Sequence, residues 1–184
     1  MTTFSVAVFV GSLRKGSFNR KIANVLIGLA TENLKLEIVE IGDLPLYNPD
    51  LDEGTPPATW TTFRDKVRGF DAVLFVTPEY NRSVPGALKN ALDVGSRPYG
   101  QSVWSGKPGA VISVSPGALG AFGANHHLRQ SLVFLDVPTL QQPEAYIGNV
   151  GDLLDENGKP ASQETEKFLS GFLTRFADWI AHNR

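Results

Sequence analysis

The chain has 184 residues, 17 Lys and Arg against 19 Asp and Glu for a net charge of −2, and no cysteine. That balance gives a nucleic acid or an anionic membrane nothing to hold, and the missing thiols exclude disulfides, cysteine nucleophiles and cysteine metal sites. The length predicts one domain over residues 1–184, and with no basic stretch ahead of a short first apolar run the default expectation is a cytoplasmic protein without a signal or a membrane span.

Phe4 to Val10 is apolar and rich in β-branched and aromatic residues, the composition of a buried strand. Further on, Ile22, Val25, Leu26, Leu29 and Ala30 fall at helical spacing. The stretch between them, Gly11-Ser12-Leu13-Arg14-Lys15-Gly16-Ser17-Phe18-Asn19-Arg20, joins the end of a strand to the start of a helix. A doubly wound sheet holds anions at such a place, on free backbone N–H groups and the positive helix end. Two hydroxyls, an amide and three cations (Arg14, Lys15 and Arg20) crowd into it. Gly11 and Gly16 have the glycine spacing of a nucleotide-triphosphate loop, but Ser17-Phe18 stand where Lys and a magnesium-binding hydroxyl belong. Leu13 takes the second glycine position of a dinucleotide loop, so a pyrophosphate could not approach the backbone closely. A terminal monophosphate such as that of FMN fits better. The alternative is an ordinary strand–helix loop with a Ser or Asn cap.

The first helix is expected to end near Glu32-Asn33. Leu36 to Ile41 alternates and reads as a strand, with Glu40 a solvated or capping acid. Gly42 to Pro57 is a long loop of the kind that borders a pocket. Thr55-Pro56-Pro57 predicts a helix start with a hydroxyl cap, the helix running to about Gly69 with Trp60, Phe63 and Val67 on one side. Asp71 to Thr77 is the clearest strand, apolar enough for burial on both faces. After the loop Pro78 to Pro85 comes a helix over Gly86 to Gly95, with Leu88, Ala91 and Leu92 inward and Pro85 in its first turn. Arg97 to Lys107 is irregular. Ala110 to Ser115 is the fourth strand, and the glycine-rich loop Pro116 to Ala124 leads to a helix with Leu128, Leu132 and Leu135. Val137 to Leu140, resuming at Ala145 to Ile147, supplies the fifth strand. The last helix carries Phe168, Leu169, Phe172, Leu173, Phe176, Trp179 and Ile180 as a core stripe. Five strands alternating with five helices predict an α/β fold with a parallel sheet. Its ligand belongs beyond the strand C-termini, where the loops after the first, third and fourth strands converge.

Gly11 to Asn19 in the first of those loops, and Pro78-Glu79-Tyr80-Asn81 with Pro85-Gly86 and Leu88-Lys89-Asn90-Ala91 in the second, carry a family likeness. The chain resembles the flavodoxin-like NAD(P)H-dependent FMN reductases along nearly its whole length, nearest the quinone reductases that also reduce chromate. The resemblance implies a doubly wound, five-stranded parallel sheet in the order 2-1-3-4-5 with helices on both faces. It implies FMN as cofactor, NAD(P)H as co-substrate, no obligatory catalytic side chain, and a homodimer or homotetramer that uses the helix starting at Gly86. By resemblance, Ser12, Leu13, Arg14, Lys15, Gly16, Ser17, Phe18 and Asn19 hold the FMN phosphate and the start of its ribityl chain. Pro78, Glu79, Tyr80 and Asn81 hold the isoalloxazine edge, largely through backbone groups, and the loop from Val114-Ser115 closes the pyrimidine side. A turn that starts with Pro and ends in Pro-Gly is rigid enough to fix such donors.

Glu79 reads as a solvated or interface acid rather than a catalytic one. Tyr80 is a subunit contact or a flavin wall. Arg14, Lys15 and Arg82 are candidates to attract nicotinamide nucleotide phosphates, with a solvated charge the alternative for Arg82. Two departures touch the family's subunit contacts and substrate mouth. Arg82 stands where many relatives carry an uncharged residue, and Gly123 to Gln130 where they often read Arg-x-Gln-Tyr-His-Leu-Arg-Gln. His126 and His127 do not make a metal site, since adjacent helical residues point about 100° apart and no acidic or Cys partner lies close in sequence. The rival to an enzyme is a flavodoxin-type electron carrier, against which the mildly acidic charge and the Pro78–Asn81 pattern both argue.

Overall fold

Among residues 2–184, which the computed structural model describes, five strands pair in parallel. They are β1 (Phe4–Val10), β2 (Leu34–Ile38), β3 (Ala72–Thr77), β4 (Gly109–Val114) and β5 (Ala145–Ile147), in the order β2-β1-β3-β4-β5. Val6 of β1 lies opposite Ala72, Val73 opposite Gly109 and Ile112 opposite Ala145, so the C-terminal ends of β1, β3 and β4 come out side by side. Five longer helices cover the sheet: α1 (Phe18–Leu29), α3 (Ala58–Arg68), α4 (Gly86–Gly95), α5 (Phe122–Phe134) and α7 (Gln163–Asn183). Two four-residue turns of helix, α2 (Pro49–Asp52) and α6 (Val150–Leu153), complete the set. This is the flavodoxin-like arrangement. None of the helices is long and apolar enough to cross a membrane.

Alternation within the strands builds two cores. Val6, Val8 and Val10 face α1 and α7, where Ile22, Leu26, Phe172 and Phe176 are buried. Ala7 and Phe9 face α3, α4 and α5. There Phe9 stacks on Phe75 at 5.4 Å and meets Trp104 edge-on at 5.3 Å. Trp104 explains why the irregular stretch 97–107 holds its place. Its ring is fully buried, and its indole N–H donates to the Leu92 carbonyl at 2.9 Å.

The boundaries differ from the expected ones for local reasons. α1 stops at Leu29 because Ala30 turns extended, and β2 starts at Leu34, where pairing with Phe4 begins. The predicted hydroxyl cap at Thr55 is replaced by Pro57, which caps α3 with no side-chain bond. Pro85 likewise sits just before α4 rather than in its first turn. The turn α2 arises inside the expected loop because Asn48 accepts from the Asp50 N–H at 3.0 Å and Pro49 leads the turn. Val137 to Leu140 contributes only a bridge between Thr139 and Gly109, so the fifth strand is Ala145–Ile147 alone. Phe168 of the last stripe stays exposed, while Leu169, Phe172, Leu173, Phe176 and Ile180 are buried.

The loop before α3 is held by charge. Both Arg64 Nη atoms donate to the Asp52 carboxylate at 2.8 Å, and Arg64 Nε donates to the Val94 carbonyl at 2.9 Å. The two side chains are only 5% and 7% exposed. Removing one member of a buried pair leaves the other charge without compensation. Asp52→Asn should therefore cost about 3–5 kcal/mol of stability, read as a lower urea midpoint with an unchanged m-value.

Candidate functional site

Ten of the fourteen residues expected at the site line one cavity of about 210 Å³ at the C-terminal edge of the sheet. From the first loop come Ser12, Arg14, Ser17, Phe18 and Asn19, from the second Pro78, Glu79 and Tyr80, and from the third Val114 and Ser115, with Pro116 in addition. The other four stand outside it. Leu13 lies against Gly42, Lys15 and Gly16 are exposed, and Asn81 is at an exposed turn. A groove of about 530 Å³ lies elsewhere, between α4 and α5, but the convergent polar groups are at the strand ends.

Gly11 brings the first two loops together. A Cβ there would stand 3.1 Å from Pro78 Cδ and 3.2 Å from Thr77 Oγ1, so a larger residue would push the loops apart. Gly11 N–H also donates to the Val76 carbonyl at 2.9 Å, one step past the end of β1. The loop then turns into α1, and Ser17 is its cap. Its Oγ accepts from the Arg20 N–H at 3.3 Å. The cap expected as an alternative is thus present, and it leaves the hydroxyl hydrogen free to donate. The N–H groups of Phe18 and Asn19 belong to the first turn, which has no intrahelical acceptors. Asn19 is buried, and its Oδ1 has no hydrogen-bond partner among the described residues.

The three cations of the loop part company. Arg14 donates to the Gly16 carbonyl at 3.0 Å and lies 5.9 Å from the Phe18 ring, beside the cavity. Lys15 points into solvent. Arg20 turns away and grips both oxygens of Glu40 at 2.8 and 2.6 Å. Glu40 is therefore an ion-pair partner, not a free acid, and Arg20's hydrogen bonds hold its carboxyl below the usual range.

The second loop is a two-residue hairpin turn. Tyr80 and Ser83 exchange N–H to carbonyl bonds at 3.0 Å each, around Asn81 and Arg82 with φ of 51° and 66°. Both central residues in the left-handed region is the tight hairpin form, which Asn accepts readily and Arg does not. Arg82's side chain is 76% exposed, with Nη1 at 3.5 Å from Glu79 Oε1. Of the two readings for Glu79, a solvated or an interface acid, the solvated one does not hold. Its side chain is 16% exposed, and Oε2 accepts from the Ala124 N–H at 3.0 Å.

The third loop is steadied from beneath. Ser113 Oγ donates to the Gly120 carbonyl at 2.6 Å and accepts from Asn125 Nδ2, whose Oδ1 accepts from Arg129 Nε. Ser113 and Asn125 are fully buried. This chain was not anticipated, although a serine inside the apolar run of β4 was its visible trace. Asn90, part of the Leu88–Ala91 motif, has a role that its motif does not announce. Its amide bonds Leu44, Pro45 and Tyr47 backbone groups and ties the long loop after β2 to α4. The two histidines diverge as adjacent helical positions must. His126 Nε2 lies 3.0 Å from the Tyr146 hydroxyl, and His127 Nδ1 lies 3.0 Å from Ser83 Oγ. Burial, with Glu144 nearby, pushes the Tyr146 hydroxyl up from its ordinary range.

The donor set suits a phosphorylated, hydroxylated ligand with a flat ring. Hydroxyls and first-turn N–H groups lie at one end, an unpartnered buried amide oxygen follows, and two rigid loops face each other at the other end. Similarity to known proteins points the same way. Residues 4–152 match the family described as NADPH-dependent FMN reductase. A protein named quinone reductase from Pseudomonas putida is 65% identical over 181 residues, 98% of this chain and 97% of that one. One from Burkholderia named 2-hydroxy-1,4-benzoquinone reductase is 46% identical, covering 97% of each chain. The solved structure of the flavoenzyme FerB, an NAD(P)H:(acceptor) oxidoreductase from Paracoccus denitrificans, superposes with a TM-score of 0.92 at 45% identity, over 98% of this chain and 99% of that one. Fold, loop chemistry and these likenesses agree, and the chain belongs to the NADPH-dependent FMN reductase family.

Proposed function

We propose that this protein binds FMN in the cavity at the strand ends and uses NAD(P)H to reduce quinones by two electrons in a ping-pong exchange. The observation that carries the placement is the convergence of the capped α1 start, the partnerless Asn19 Oδ1 and the Pro78–Tyr80 loop on one cavity. The quinone substrate is supported by the name of the 65%-identical relative. Chromate, expected from the same branch, belongs in the same assay as a second acceptor.

When bound, FMN supplies the hydride acceptor and donor, and the protein supplies orientation. Ser17 and the first-turn N–H groups of α1 take the phosphate, favoured by the positive helix end. Asn19 Oδ1 accepts from a ribityl hydroxyl. Pro78, Glu79 and Tyr80 would face the ring edge through their backbone, with Asn81 in the turn just beyond, and Val114, Ser115 and Pro116 would form the opposite wall. Arg14 keeps a positive charge at the rim. A flavodoxin-type carrier would dock on a protein partner through an acidic face, and a net charge of −2 does not build one.

The working unit in this reading is at least a homodimer, with a second copy on the groove between α4 and α5. Lys89, Leu92 and Arg97 line one side, and His127 and Phe134 the other. Phe134 is 83% exposed and Val133 79% exposed, an apolar strip that a partner would cover.

Three measurements test these assignments. Ser17→Asp should preserve the cap and change apo-protein stability by no more than about 1 kcal/mol. It should weaken FMN at least about a hundredfold, because a fixed carboxylate takes the phosphate's donors and repels it. Riboflavin, which has no phosphate, should lose far less. Equal losses for the two flavins in paired titrations would return the loop to a plain cap. Initial rates with NAD(P)H and a benzoquinone should give parallel double-reciprocal lines, and intersecting lines would exclude the ping-pong exchange. Phe134→Asp should shift the light-scattering mass toward the monomer, and an unchanged mass would move the interface elsewhere.

A further inference from the structure

Helix α5 begins without a cap of its own. Its N-cap position is Ala121, in the left-handed region at φ 58°, and its first turn carries no acid. Such N–H groups need acceptors when they lie away from water. The acceptor comes from another loop. Glu79 lies 45 residues earlier in the chain, and its Oε2 accepts from the buried Ala124 N–H at 3.0 Å. A carboxylate is well suited to this end of a helix, and the bond is charge-assisted. The glycine at 123 answers to the same contact. A Cβ there would stand 2.9 Å from Glu79 Oε2 and 3.1 Å from the Arg82 carbonyl oxygen.

Glu79 also lines the cofactor cavity, between Pro78 and Tyr80. The turn beyond it cannot hold its own shape cheaply, because Arg82 is a bulky residue in the left-handed region. We propose that Glu79 is a positioning residue for the flavin ring. By capping α5 across the sheet edge, its carboxylate fastens the Pro78–Asn81 loop to the loop of residues 115–121, so that the two walls of the ring site keep a fixed separation. The proposal rests on the assignment of those loops to the ring made above.

The test compares apo wild type with Glu79→Gln and Glu79→Ala, each titrated separately with FMN and with riboflavin. The amide oxygen of glutamine accepts the same N–H, and alanine has no acceptor. Glu79→Ala should weaken FMN and riboflavin by the same factor, at least about tenfold for the lost charge-assisted bond. Its apo melting midpoint should fall by about 2–4 °C, the size of a lost cap in a chain of this length. Glu79→Gln should stay within about threefold of wild type for both flavins, since the hydrogen bond survives. The proposal is overturned if Glu79→Ala binds both flavins normally, if it weakens FMN alone, or if Glu79→Gln fails as badly as alanine. Gly123→Ala crowds both the carboxylate, at 2.9 Å, and the Arg82 carbonyl, at 3.1 Å, without deleting either, and should weaken both flavins by the same factor. Should Glu79→Ala not fold, normal flavin binding by Gly123→Ala overturns the proposal. Ser17→Asp separates this idea from the site assignment: if it spares FMN, the assignment has failed, whereas a loss of FMN there with normal binding in Glu79→Ala sinks the positioning role alone.

Discussion

A parallel sheet has to be covered on both faces, and each crossover must carry the chain back to the edge where the strand began. Here that constraint sets everything downstream. Every strand of the sheet leaves its loop at one edge, and the helices that follow start at that edge with N–H groups that have no intrahelical acceptor. The register places the ends of β1, β3 and β4 beside one another. Three loops are thus delivered to one spot before any functional side chain is considered. Gly11 then lets the first two loops close to contact distance. The cavity follows from topology, and its chemistry from what those loops contain.

Most of that was legible in the chain, for identifiable reasons. β3 and β4 are continuous apolar runs, which only a doubly covered strand can be, and both lie within one residue of their expected positions. α4 matches Gly86 to Gly95 throughout, because Pro85 and Gly86 mark its start and the apolar spacing runs to its end. Residues of the first and second loops line one cavity, although Leu13, Lys15, Gly16 and Asn81 do not. What could not be read depends on distant partners. Nothing local tells Arg20 to choose Glu40 over a phosphate, or tells Glu79 that a helix 45 residues later lacks a cap. The end of α1 and the start of β2 were misplaced because strand pairing with Phe4, not propensity, decides them. The short turns α2 and α6 carry too few residues for a period to show.

Buried polar groups do for the loops what apolar burial does for the sheet. Asn90 binds three backbone groups of the loop after β2, Arg64 fastens the next turn through Asp52, and Ser113 with Asn125 supports the loop after β4. Each side chain meets carbonyls or N–H groups that an irregular backbone would otherwise leave unpaired. An apolar residue of the same size would fill the space and leave those groups unsatisfied, which is the expensive outcome inside a protein. The polar residues in these otherwise apolar segments therefore belong to loop geometry, one step removed from any ligand.

The left-handed residues show where that geometry is under load. Asn81, Arg82, Gly120 and Ala121 all adopt positive φ, and all lie in the loops after β3 and β4. The loop after β1 has none and rests on an ordinary helix cap. Three of the four are not glycine, so the conformations are unfavourable in isolation and must be over-determined by neighbours. The neighbours are at hand: paired bonds between Tyr80 and Ser83, Ser113 holding Gly120, and Glu79 holding the start of α5. The first-loop end of the cavity thus needs only a regular helix start, capped by its own Ser17. The opposite end needs two strained loops braced against each other, and its shape exists only once the sheet has brought them together.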